Sequence, residues 1–149
     1  LRSAESAAAV TTTTPAADTA AAPQLLELTK DNFQQYLDAA GDKLVVVDFF
    51  TDWCGPCKLI YPQLVTLSAE LAPAATICKF NCNQHNKELA KALGIKVAPT
   101  FHLYKNGQKV ADMTGKGNYR RRIQKVLCVS VILGAQITPQ QFGRSLLMQ

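Results

Sequence analysis

The densest apolar run in the first half of the chain, Leu44-Val45-Val46-Val47-Asp48-Phe49-Phe50, is hydrophobic at both sets of alternate positions. A strand buried on both faces shows such a run, so residues 44–50 predict a central strand with helices on either side. Before it, residues 24–28 predict a short strand. Thr29 is the expected N-cap of a helix reaching Leu37, with Phe33 and Leu37 four apart on one face and Gly41 beyond its end. After it, Leu59, Ile60, Leu64, Val65 and Leu67 carry a helix to about Leu71. Pro56 suits the first turn of that helix, where a missing N–H costs nothing, and Pro62 inside it is expected to kink it.

Residues 76–81 predict another strand, and residues 87–93 a helix stopped by Gly94. Residues 101–104 and 108–114 flank Asn106-Gly107, the strongest short-range hairpin signal. Tyr119, Ile123, Val126 and Leu127 then share one face of a last helix, with Arg120, Arg121 and Arg122 largely outside it. The order is βαβαβαββα, an α/β chain whose central mixed sheet is flanked by helices on both faces.

A length of 149 residues with 48% apolar content supports one domain, expected over residues 24–127. No apolar run reaches the roughly 18 residues that span a bilayer. The longest clear one, residues 126–133, is far shorter, and no membrane partner is expected. The net charge of +5 hides an asymmetry: through Cys78, nine Asp and Glu oppose four Lys and Arg, for −5. From Lys79 onward twelve Lys and Arg face only Glu88 and Asp112, for +10. Such a field steers acidic partners, although each lysine taken singly reads as solvated surface. The basic half has few interleaved aromatics and no recognisable nucleic-acid motif, so no nucleic acid is expected.

Residues 1–23 are nearly all Ala, Thr, Ser and Pro and cannot bury enough surface to offset their ordering entropy. They read as a disordered leader or transit-peptide remnant, with a plain tail or an expression artefact as alternatives. Residues 128–149 read as an atypical C-terminal extension, since Val129, Val131 and Ile132 are poor helix choices. A real extension, a splice product and translated intron sequence all stay open for it.

The chemistry concentrates where the central strand ends. Cys54-Gly55-Pro56-Cys57 follows the apolar run and opens the helical pattern, which makes the two cysteines a redox dithiol at a strand-to-helix turn. The other cysteines, Cys78, Cys82 and Cys128, bring the count to five, uneven in number and spacing for a secreted disulfide scaffold. A reducing compartment with one working pair is expected. Cys54 at the helix start would be favoured as thiolate by unpaired N–H groups and the macrodipole, and would attack a target disulfide. Cys57, one turn deeper, would resolve the mixed disulfide. Asp48 amid apolar neighbours should have a raised pKa and take the proton of Cys57 through a water, while Lys79 on the neighbouring strand moderates its charge. The plainer reading of Asp48 is a strand-end carboxylate bonded locally. Trp53 would shield and shape the site, and His85 and His102 read as ordinary surface or half-buried residues. Cys54-x2-Cys57 with Cys78-x3-Cys82 imitates a four-thiolate zinc site, but Cys78 lies in a strand next to Lys79, where alternate residues point apart. Neither a metal nor a cofactor is expected.

Taken together these residues resemble the thioredoxin family over about residues 25–117. Trp53-Cys54-Gly55-Pro56-Cys57-Lys58 is similar to its active-site hexapeptide, Asp48 to its buried carboxylate, Lys79 to its neighbouring lysine and Pro62 to its kinked second helix. Ala98-Pro99-Thr100 resembles the segment holding a cis-proline opposite the dithiol, and Gly115 the glycine that lets substrate backbone approach. The resemblance implies a thioredoxin fold, protein-disulfide reductase activity, and substrate contacts from Trp53, Gly55, Pro56, Ala98, Pro99 and Gly115.

Within the family, Lys79-Phe80-Asn81-Cys82-Asn83-Gln84, with Asn86-Lys87, Leu89-Ala90-Lys91 and Leu93-Gly94-Ile95, most resembles plastid f-type thioredoxins. Asn81 stands where that type usually has aspartate. This likeness implies a monomer in the chloroplast stroma, electrons from ferredoxin–thioredoxin reductase, and targets such as fructose-1,6-bisphosphatase. It also makes Cys82 a regulatory candidate open to glutathionylation, against a quiet, partly buried thiol. An m-type or cytosolic thioredoxin, and a docking or holdase module with incidental cysteines, are the alternatives.

Overall fold

The computed structural model describes residues 24–115 and 117–133. Five strands, β1 (Leu26–Leu28), β2 (Leu44–Phe50), β3 (Ala75–Asn81), β4 (Thr100–Lys105) and β5 (Gln108–Thr114), form one sheet in the order β1-β3-β2-β4-β5. Strands β1, β3 and β2 run parallel, while β4 and β5 pair antiparallel beyond them. Helices α1 (Phe33–Ala40), α2 (Gly55–Leu71), α3 (Lys87–Ala92) and α4 (Tyr119–Leu133) connect and close it.

Alternation along β2 divides the core in two. Leu44 and Val46 pack with Ile60, Leu64 and Leu67 of α2 and with Tyr119, Ile123 and Val126 of α4. Val45, Val47 and Phe49 pack on the other face with Phe33 and Leu37 of α1, Phe80 of β3 and Ala90 of α3. The first six residues of β2 are buried, Asp48 among them, as a strand covered on both faces requires. Asp48 shares its parity with Val46, so it falls on the α2 side.

The hairpin follows the Asn106-Gly107 signal: Lys105 pairs with Gln108 across the two turn residues, whose φ values are 51° and 71°. Two positive φ values are what a type I′ turn demands. Among the described residues the edges of the sheet are β1, three residues long, and β5, which buries Val110 and Met113 and exposes Lys109 and Asp112.

Several boundaries differ from the sequence reading. Thr29 does not cap α1. Its carbonyl accepts from Phe33 and its N–H donates to the side chain of Asn32, which is the N-cap, and the helix runs on to Ala40. The largest change lies at α4, which continues to Leu133 across the expected boundary at residues 127 and 128. Helix propensity is a weak bias, and the β-branched residues there follow a helix whose first two turns are anchored in the core. The expected leader, residues 1–23, and most of the expected extension, residues 134–149, lie outside the described residues.

Candidate active site

The turn after β2 delivers Cys54 to the start of α2. Its N–H donates to the carbonyl of Thr51 at 3.1 Å, and its own carbonyl accepts from Lys58 at 3.3 Å. Cys54 is the N-cap residue, and its Sγ accepts the backbone N–H of Cys57 at 3.2 Å. Pro56 occupies the first turn as expected. The two cysteines are joined by a disulfide and both are buried. Opening that bond would leave the Cys54 sulfur against the free N–H groups of a helix start, an electrostatic setting that favours a thiolate.

Each cysteine belongs to a different hollow. Cys57 lines a cavity of about 520 Å³ with Asp48, Phe50, Thr51, Asp52, Lys58, Tyr61 and Lys79. Cys54 lines a second hollow, of about 380 Å³, whose wall includes Trp53, Gly55, Pro56, Cys82 and the segment from Ile95 to Ala98. Trp53, 77% exposed, and Val97, 56% exposed, give this second hollow an apolar rim. Ala98–Pro99 is a cis peptide, and the Pro99 carbonyl accepts the N–H of Gly115 at 2.9 Å. Gly115 sits at φ 81°, which disfavours any side chain there, with open space where a Cβ would project. The turn after β2, the Ile95–Pro99 segment and Gly115 therefore meet at one end of the sheet.

Asp48 is 2% exposed, and its Oδ1 has no hydrogen-bond partner among the described residues. Burial pushes its carboxyl up from 3.8 to about 7. A carboxyl poised there can give or take a proton near neutrality. Lys79 stands opposite Asp48 in the β2–β3 register, but its ammonium is paired with Glu27 at 2.9 Å and lies 5.7 Å from the ring centroids of both Phe50 and Tyr61. Glu27 and Tyr61 were missed from sequence. The only signal for Glu27 was its place in a neighbouring strand, whose register no local pattern reveals.

Cys82 lines the hollow of Cys54 but is half-buried, its thiol pushed up to about 11 by burial and by the charge of Asp48. That holds it as thiol rather than thiolate. The loop around it is braced by Asp52, which accepts hydrogen bonds from the amides of Asn81 and Asn83. Cys78 is fully buried between the sheet and α1, away from the dithiol's face, so Cys78 and Cys82 do not complete a four-thiolate set with Cys54 and Cys57. His102 corrects an expectation: it is buried, 4.8 Å from the Phe49 ring, with its Nδ1 3.0 Å from the Tyr104 hydroxyl. His85 is exposed.

The family model for thioredoxin matches residues 24–128. A chloroplastic thioredoxin F2 of Arabidopsis thaliana is 48% identical over 92 residues, a match covering 62% of this chain and 49% of that protein. The chain spans about half the length of the chloroplastic relatives it matches. The crystal structure of Chlamydomonas reinhardtii thioredoxin f2 is 53% identical with a TM-score of 0.63, covering 75% of this chain and 99% of that one. Thioredoxin f2 in complex with ferredoxin:thioredoxin reductase is 39% identical with a TM-score of 0.65, covering 73% of this chain and 96% of that one.

Proposed function

This chain belongs to the thioredoxin family, and we propose that it reduces disulfides in partner proteins through Cys54 and Cys57. The Cys54 thiolate attacks one sulfur of the target disulfide, forming a mixed disulfide and expelling the first target thiolate. Cys57, giving its proton to Asp48, attacks the Cys54 sulfur, which forms the Cys54–Cys57 disulfide and expels the second target thiolate. Two electrons pass to the target, and a reductase must return them. The observation that carries this reading is the disulfide at the first turn of α2, with Asp48 and Cys57 lining one cavity.

The hollow beside Cys54 would receive the target segment, with Trp53, Gly55, Pro56, Ala98, Pro99 and Gly115 around it. Likeness to chloroplastic thioredoxins f supports a chloroplast location, in the stroma, and ferredoxin–thioredoxin reductase as electron donor. The basic C-terminal half supports acidic, light-activated targets such as fructose-1,6-bisphosphatase. Lys79 would modulate Asp48 from the next strand, and the chain would work as a monomer.

Insulin reduction by the wild type and by Cys54→Ser tests the chemistry: the variant should be inactive. Equal turnover by both would leave a docking module. Faster reduction of the oxidised chain by the ferredoxin-linked than by the NADPH-linked reductase is expected, and the reverse order would place it with cytosolic thioredoxins.

A further inference from the structure

Lys79 stands between two carboxylates on adjacent parallel strands. Glu27 of β1 is opposite it on one side and Asp48 of β2 on the other. The ammonium has gone to Glu27, at 2.9 Å, while Oδ1 of the buried Asp48 has no partner among the described residues. Lys79 and Asp48 nevertheless line the same cavity, so the lysine's four-carbon stem starts beside the group it leaves unpaired.

We propose that Glu27 is a positioning residue for the dithiol reaction: its carboxylate holds the Lys79 ammonium off Asp48, leaving the buried carboxyl free to exchange a proton with Cys57. This rests on the reading of Asp48 as the acceptor for Cys57. An ammonium within about 4–6 Å of a carboxylate lowers its proton affinity by roughly 1–3 pH units. Asp48 paired with Lys79 would then stay ionised near neutrality and make a poorer base. With the ammonium elsewhere, burial raises it to about 7.

The other ionisable groups near Asp48 do not supply this cation. Asp52, Lys58, Tyr61 and Cys57 share the cavity, and Lys58 is exposed. Cys82, beyond β3, and Tyr119 of α4 are acids pushed upward first by burial and further by the charge of Asp48, so neither is a cation. Glu27 is outside the cavity wall, with a side chain 45% exposed, so an isosteric change there leaves the dithiol untouched.

The test is a carbon-13 NMR titration of the Asp48 carboxyl in the reduced full chain, for wild type, Glu27→Gln, Lys79→Met and the double variant. Insulin reduction is followed against pH in parallel. Glu27→Gln should lower the Asp48 midpoint by about one pH unit or more, and the pH–rate profile should move with it. In the Lys79→Met background the same change should have little effect. An unmoved midpoint in Glu27→Gln overturns the proposal. So does an equal shift with and without Lys79, which would mean that only the charge of Glu27 itself is felt. The titration is readable without turnover, so loss of insulin reduction in all four proteins would sink the reductase reading and leave this result standing.

Discussion

Asp48 and Cys57 open onto one cavity, the first from β2 and the second from the opening turn of α2. Burial lifts the carboxyl from 3.8 to about 7, so the folded chain holds that proton more tightly than the unfolded one. The stability this proton brings is whole below 3.8 and is lost as pH rises through 7. Asp48→Asn, neutral throughout, should therefore gain on the wild type in alkali, by on the order of 4 kcal/mol well above pH 7. The gain should shrink toward acid. Urea unfolding of both proteins at acid and alkaline pH measures it, and a pH-independent difference would mean that Asp48 ionises as freely as an exposed carboxylate.

His102 gives the opposite slope. Burial, aided by Lys109, pulls its imidazole down from 6.5 to about 4. Here the unfolded chain binds the proton more tightly, so stability is full above 6.5 and drains away as pH falls toward 4. The wild type should lose about 3 kcal/mol across that window from this residue. His102→Asn should unfold at lower urea throughout but lose less between pH 7 and pH 4. Parallel losses in the two proteins would show that His102 takes its proton as readily as a solvated imidazole.

Ile123 is fully buried against the α2 side of the sheet. Truncation to Ala should cost roughly 2–5 kcal/mol, the usual range for a buried isoleucine. A loss below about 1 kcal/mol by denaturant titration would mean that α4 covers the sheet loosely and that the chain folds without it.

Much of this architecture is written in local pattern. The two-faced run of β2, the Asn106-Gly107 turn and Pro56 at the start of α2 each state a geometry within a few residues, and each appears as expected. The dithiol and Asp48 were legible for the same reason, since one strand and one turn hold them. Pairing across strands was not. That Lys79 would choose Glu27 over Asp48 depends on a register between segments fifty residues apart. His102 misled because its polarity says nothing of the aromatic neighbours, Phe49 and Tyr104, that enclose it. The end of α4 was not legible locally, because the propensity of its β-branched residues carries no trace of the helix already standing before them.

The two outer strands bear on how this chain behaves in a crowded solution. An unpaired strand is a template on which another chain can lengthen a sheet. Among the described residues β1 offers only three for such growth, and β5 sets exposed Lys109 and Asp112 along its length. A neighbour trying to zip onto either side would find too short a run or would have to strip water from charges. The described sheet thus keeps its own margins from being lengthened by another chain.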